Sequence, residues 1–97
     1  MIEHLVLFKF KPHTSKPAID DVYSSLMALK AEIPEILSIT AGPNFSDRAQ
    51  GFDGGLVVRF NNKNDLQTYV NHVNHQGVVN TKIKPFAENV LAVDYEF

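Results

Sequence analysis

The order of strand-like and helix-like segments in this 97-residue chain predicts an α+β fold with the ferredoxin-like βαββαβ topology. Two observations carry this prediction. Strand-like segments alternate their side chains with a period of two, whereas two other segments repeat apolar residues at helical spacing. The topology joins four strands in one antiparallel sheet and places both helices on one of its faces.

The first two elements are a strand at residues 2–10 and a helix that follows it. Even- and odd-numbered residues of the strand form two interleaved sets, and both sets are largely apolar. Ser15 is expected to cap the helix, with Pro17 in its first turn and Pro34 as its end. The apolar face of this helix carries Ile19, Val22, Leu26, Leu29 and Ile33.

The next two strands are expected at residues 36–45 and 52–60, separated by a polar loop. The second strand should be interrupted near Gly42-Pro43, because proline cannot donate a hydrogen bond to a neighbouring strand. In the third strand, Gly54-Gly55 is expected to permit a bulge or a close backbone contact.

A second helix and a last strand complete the pattern. Asparagine caps open the helix, which is expected over residues 62–73. A short helical piece starts at Gly77 and bends at Pro85. Residues 90–97 alternate again and form the fourth strand.

The sheet face turned away from the helices is also predicted to be apolar. Strand alternation places five residues there: Leu5, Leu7, Val57, Leu91 and Val93. A contiguous apolar patch of this kind is unfavourable in water. We therefore expect a second copy of the chain to cover it, sheet face to sheet face, in a symmetric homodimer.

Charge and composition exclude several classes of protein. The net charge is −2, which argues against nucleic-acid binding. There is no cysteine, so neither a disulfide nor a thiolate zinc site can form. No apolar run has the length of a membrane span, and residues 1–11 lack the pattern of a signal peptide. We expect a single domain over residues 1–97 in a soluble, cytoplasmic protein.

The segment whose side chains are best suited to proton transfer begins at Tyr69 and contains His72 and His75. Helical spacing puts Tyr69 on the buried face of the second helix, with His72 one turn further and His75 just past the helix end. An imidazole can take a proton near neutral pH, and a phenol can donate to a developing oxyanion. The same groups could instead be core residues held by hydrogen bonds.

Other roles for the histidines are weaker. His72 and His75 are three residues apart and His4 could approach as a third metal ligand, but no nearby carboxylate completes a set. We therefore expect no metal. For His72 we favour a position at the helix C-terminus, where an imidazolium interacts well with the helix dipole. Asp94, on the last strand, is interpreted as an outward-facing residue.

Several short motifs carry a family resemblance over essentially the whole chain. They are the opening stretch at residues 4–11, Ile33-Pro34, Gly51-Phe52, Tyr69-x-x-His72-x-x-His75 and Asp94-Tyr95. In order and spacing they resemble the stress-responsive A/B barrel domain family. The resemblance implies a ferredoxin-like protomer that pairs through its sheet into a barrel-like homodimer, the dimeric α/β barrel. Most members have no assigned chemistry, and some plant members accumulate under stress.

One member of that family is a polyketide cyclase that performs an aldol condensation without a metal. Its catalytic histidine resembles His75, its assisting tyrosine resembles Tyr69 and its first-strand histidine resembles His4. The resemblance thus implies His75 as a general base and Tyr69 as a hydrogen-bond donor. The cyclase has another histidine where this chain has Gly54-Gly55, so its substrate does not carry over.

A ligand site between sheet and helices would have largely apolar walls. His4, Val6 and Phe8 share one face of the first strand and would lie opposite Tyr69. The other expected lining residues are Leu56, His72, Val78, Val90 and Ala92. Two hypotheses follow: a non-catalytic protein that binds a small apolar molecule, or a cyclase-like enzyme. Neither requires a cofactor, and we favour the first because nothing in the sequence identifies a substrate.

Overall fold

The computed structural model describes residues 1–97 and contains one four-stranded antiparallel sheet. The strands are β1 (Ile2–Phe10), β2 (Ser38–Pro43), β3 (Gly54–Phe60) and β4 (Ala87–Glu96). Their spatial order is β2-β3-β1-β4, and helices connect β1 to β2 and β3 to β4. This arrangement is the ferredoxin-like fold, so the predicted class is confirmed. None of the helices is long and apolar enough to span a membrane.

The first helix, α1, spans Lys16–Ala28 and begins as predicted. The Ser15 hydroxyl accepts a hydrogen bond from the Ala18 N–H at 3.2 Å, and Pro17 lies in the first turn. A short 3₁₀ turn at Leu29–Ala31 continues the same apolar face. The Ser15 cap and Pro17 thus set the residue at which α1 begins, and α1 then packs over the sheet.

The second helical region consists of α2 (Lys63–Asn71), α3 (Val73–Val78) and a π turn (Val79–Ile83). The prediction of one helix over residues 62–73 is wrong at His72. The backbone of His72 is extended, with φ −64° and ψ 136°, and this conformation ends α2. A new helix starts directly after it, so the region bends over the sheet.

The limits of the other strands also differ from the prediction. Residues 44–53 form a loop, closed by a hydrogen bond of 2.8 Å from the Asn44 N–H to the Asp53 carbonyl. The predicted interruption of the second strand is wrong, because β2 pairs with β3 as far as Pro43 and Gly54. Proline is tolerated there since β2 is an edge strand. The last strand begins at Ala87 rather than Val90.

The hydrophobic core lies between the sheet and the helices. Alternate residues of β1 and β3 point toward the helices and are buried, as the period-two pattern requires. The core also includes Tyr23 of α1 and Tyr69 of α2. Its other large members are Phe8, Phe10, Val22, Leu26, Leu29, Ile33, Leu56, Val58 and Phe60.

The opposite face of the sheet carries the predicted apolar residues, with an ion pair between Glu3 and Arg59 toward one end. The strand register places Leu5 of β1 between Val57 and Val93. Leu7 lies opposite Leu91 on the same face. Val57, Leu91 and Val93 are exposed to solvent in the isolated protomer. The face thus presents a row of apolar side chains across three strands.

Gly54 provides the close backbone contact expected in the third strand. A Cβ atom at this position would lie 2.0 Å from the Tyr23 hydroxyl oxygen. At Gly55 the nearest atom to such a Cβ would be at 3.7 Å, an ordinary contact. Glycine is therefore required at position 54 to admit the Tyr23 ring.

Candidate functional site

Two histidines and a tyrosine meet beneath α2 and α3. Tyr69 is fully buried, and its ring centroid lies 4.3 Å from that of His75 and 5.9 Å from that of His4. Phe60 approaches from β3, with its centroid 5.2 Å from that of Tyr69. The structure therefore brings together His4, Tyr69 and His75, three of the four polar site residues that the sequence analysis singled out.

His75 is held in one tautomer by the backbone. Its Nδ1 lies 3.0 Å from the carbonyl oxygen of Val70. Because a carbonyl only accepts, Nδ1 carries the hydrogen and Nε2 is the basic nitrogen of the neutral ring. Burial lowers the pKa of His75 and outweighs the opposing effect of the Val70 bond. The ring is thus neutral at pH 7, with Nε2 able to accept a proton.

The Tyr69 hydroxyl is buried and has no hydrogen-bond partner within the chain. Burial raises the pKa of Tyr69 far above its ordinary value, so the hydroxyl keeps its proton. An unpaired buried polar group costs about 1–3 kcal/mol, which makes such groups rare. Next to a neutral histidine, this hydroxyl is suited to donate to a carbonyl or an oxyanion.

His4 is buried on β1, and its Nδ1 contacts the Asp94 carboxylate on β4. The strand register places the two residues directly opposite each other. Asp94 is exposed, but the register puts it on the same sheet face as the buried His4, so its interpretation as outward-facing is wrong, and the sequence analysis missed its bond to His4. The two residues face each other only in one alignment of β1 with β4, and the sequence analysis did not assign that alignment. The contact fixes the orientation of the His4 ring.

His72 lies at the helix C-terminus, as predicted, and also makes a contact that the sequence analysis missed. It lies at the C-terminal boundary of α2, but its Nδ1 accepts a hydrogen bond of 3.1 Å from the Asn74 N–H. His72 therefore ends α2 and caps the start of α3 with its side chain. Its neighbours on the protein surface are polar residues of α2, among them Gln67 and Asn71.

An apolar cavity of about 470 Å³ opens between the sheet and the π turn. Four of the predicted lining residues border it: Val6, Phe8, Leu56 and Val90. The opposite side is formed by Val79 and Ile83 of the π turn, with Lys84, Ala87, Glu88 and Asn89 completing the lining. The last six were not predicted, because the π turn and the start of β4 were not recognised in the sequence.

The other predicted lining residues lie outside this cavity. His4 precedes Val6 by two residues on the same face of β1. The histidine–tyrosine cluster therefore lies near the cavity, but none of its three residues lines it. Val78 packs against the core, and Ala92 is exposed on β4 opposite Val6. No three histidine, aspartate or glutamate side chains converge in a way that could hold a metal ion.

The fold and this arrangement define a class of protein: a small ferredoxin-like α+β domain with polar aromatic groups and an apolar cavity between sheet and helices. The model of the stress-responsive A/B barrel domain matches residues 2–97. The chain therefore belongs to the stress-responsive A/B barrel domain family, which confirms the resemblance.

Individual relatives agree with this assignment. The chain is 33% identical over 96 residues to a stress-response A/B barrel domain-containing protein of Arabidopsis thaliana, covering 98% of this chain but only 36% of the relative. A dimeric protein of unknown function with a ferredoxin-like fold from Bacteroides fragilis superposes with a TM-score of 0.81 at 28% identity, over 99% of this chain and 95% of its own. A hydroxynitrile lyase from Passiflora edulis has the same fold, with a TM-score of 0.88, 20% identity and coverage of 97% and 90%.

Proposed function

We propose that this protein is a homodimer that binds a small, largely apolar molecule between its sheet and its helices. The observation that carries the proposal is the cavity of about 470 Å³ with walls from β1, β3, β4 and the π turn. Cavities of this size with mostly apolar linings are typical small-molecule sites. The histidine–tyrosine cluster does not border the cavity, and this favours binding over catalysis.

The proposed dimer uses the apolar sheet face. Leu5, Leu7, Val57, Leu91 and Val93 lie together there, and a second copy would remove them from water. The description of the Bacteroides fragilis relative as dimeric supports this proposal. We further propose that residues 1–97 act as a single domain, since one sheet and one core extend through them. The cytoplasmic location stays a prediction.

Filling the cavity is expected to abolish binding. Val90 is partly exposed and borders the cavity, so Val90→Trp should occupy the site while leaving the core intact. The wild-type protein should bind the neutral fluorophore N-phenyl-1-naphthylamine saturably with one site per protomer. Val90→Trp should weaken that binding about tenfold or more, as measured by fluorescence titration.

The matched control is Val73→Trp, which adds the same side chain on the exposed surface of α3, away from the cavity. It should bind the fluorophore as the wild type does. Equal binding by wild type and Val90→Trp would show that the fluorophore sits elsewhere, and the proposed site would be abandoned.

The second candidate function is cofactor-independent carbon-acid catalysis. One observation favours it: the buried Tyr69 hydroxyl has no partner, whereas the adjacent His75 is fixed with Nε2 as its base. In an aldol cyclisation, Nε2 would remove a proton α to a carbonyl. The electron pair would move onto the carbonyl oxygen, held by the Tyr69 hydroxyl, and the enolate carbon would then attack a second carbonyl of the same molecule. A solved relative with this fold is an enzyme by name, a hydroxynitrile lyase.

Tyr69→Phe separates this candidate from a purely structural role. Removing a buried hydroxyl that lacks a partner should leave the free energy of unfolding unchanged or raise it by about 1 kcal/mol in urea denaturation. With a poly-β-keto substrate, the same change and His75→Ala should each lower the rate about 10²-fold or more. His75 must be neutral to act as the base, and burial lowers its pKa below the ordinary value of 6.5. The rate should therefore start to fall only below pH 6.5 as the pH is lowered.

A loss of stability in Tyr69→Phe would instead show that the hydroxyl has a structural partner. Activity that survives His75→Ala would remove this residue as the base. Either result would leave small-molecule binding as the proposed function of this protein.

A further inference from the structure

We propose that the ligand of the cavity is an anionic amphiphile, a monocarboxylate whose apolar tail enters the cavity and whose carboxylate is bound by the Lys84 ammonium. This inference rests on the proposed function and names the chemical class of its ligand. It depends on the composition of the cavity rim and on the π turn that forms one wall.

The π turn brings a cation to the cavity together with apolar side chains. Lys84 ends the turn, and its backbone N–H donates to the Val79 carbonyl at 2.9 Å, five residues back. This widened turn places Val79, Ile83 and Lys84 on the same cavity wall. Turns of the π type are rare and occur frequently at functional sites, because they redirect side chains that a regular helix would turn away.

The charge of Lys84 is free, whereas the neighbouring charges are paired. Lys82 Nζ forms an ion pair with Asp21, and Lys9 Nζ lies 3.6 Å from the Glu88 carboxylate at the cavity rim. Lys84 has no carboxylate within 4.0 Å and no side-chain hydrogen bond. The rim therefore presents one uncompensated positive charge above an apolar interior.

Such a site matches a ligand with one negative end. The walls facing the tail are Val6, Phe8, Leu56, Val79, Ile83 and Val90. Burial of a hydrocarbon tail against them provides most of the binding free energy. The ammonium adds a charge-assisted contact at the mouth, where the carboxylate stays partly hydrated. A neutral alcohol of the same length would gain the free energy of burying its tail but not that of the contact with the ammonium.

The test compares octanoate with octan-1-ol as competitors of N-phenyl-1-naphthylamine. Octanoate is expected to compete roughly three- to fivefold better at low ionic strength, a modest factor because the Lys84 ammonium is exposed. This advantage should shrink in 0.5 M salt. Lys84→Gln should remove this difference between octanoate and octan-1-ol, and Lys84→Arg should retain it. Lys30→Gln removes an exposed lysine of the 3₁₀ turn, away from the cavity, and serves as the matched control.

The outcomes separate this inference from the function on which it rests. If the fluorophore binds but octanoate and octan-1-ol compete equally, Lys84 does not bind the carboxylate and the inference is overturned, while the cavity remains a ligand site. If Lys84→Gln and Lys30→Gln reduce octanoate binding equally, the effect is one of net charge and the inference again fails. If the fluorophore does not bind at all, the proposed function itself is wrong.

Discussion

Replacing Val93 with lysine is expected to separate the proposed dimer into protomers. Val93 lies on the apolar sheet face beside Leu5 and is 48% exposed in the isolated chain. In a face-to-face dimer the lysine ammonium would be buried without a partner, at a cost of roughly 2 kcal/mol or more. Twofold symmetry places two such charges in the interface, so Kd should rise about a thousandfold. Sedimentation velocity across a concentration series measures this change.

The control for Val93→Lys is Met27→Lys. Met27 is 39% exposed on α1, so it is comparably accessible but lies on the helical side of the protein. Its replacement should leave the sedimentation coefficient unchanged. Leu7→Lys should act like Val93→Lys, since Leu7 is on the same sheet face. A folded, intact Val93→Lys dimer would contradict the assignment of this face as the interface.

Replacing Gly54 with alanine is expected to destabilise the protomer by roughly 2–3 kcal/mol, because small-to-large changes in a packed core force neighbours out of position. The new Cβ would lie 2.0 Å from the Tyr23 hydroxyl oxygen and 2.8 Å from the ring carbon that bears it. Tyr23 is buried against Phe10, with ring centroids 6.1 Å apart, so moving the Tyr23 ring would disturb the packing of the core. Urea denaturation should therefore show a lower midpoint with a similar slope.

Two other glycines make this experiment specific. A Cβ at Gly55 would make only ordinary contacts, and one at Gly42 would meet no atom within 4 Å. Alanine at either position should change the midpoint far less. Adding Tyr23→Phe to Gly54→Ala removes the nearest atom and should recover part of the lost stability. Equal effects at all three glycines would mean that backbone freedom, not the Tyr23 contact, requires glycine at position 54.

The fold was predictable from the sequence because its signals are local. Alternation in residues 2–10, the cap at Ser15 and the helical spacing that includes Tyr69 each depend on neighbours a few residues apart. The break at His72 was not predictable in this way. It arises from a side chain that bonds the backbone two residues ahead, which competes with continuing the helix.

The candidate site was predictable only in part. The buried position of Tyr69 follows from helical spacing, but its approach to His75 depends on the break at His72, which that spacing does not show. The contact between His4 and Asp94 spans most of the chain and depends on strand register. The cavity wall depends on a π turn, whose five-residue spacing resembles neither a helix nor a strand in the pattern of apolar residues. Lys84 was therefore missed, although it is the charged group that best indicates a ligand class.

The two edges of the sheet differ in how they resist unwanted association. The β2 edge is six residues long and ends in Pro43, which blocks pairing with another strand. The β4 edge is ten residues long, contains no proline, and carries exposed Leu91, Val93 and Tyr95. An unpartnered protomer thus offers a template for edge-to-edge aggregation. In a variant that fails to pair, this edge and the adjoining apolar face both stay open, so its protomers should aggregate more readily than the wild-type dimer as the concentration rises.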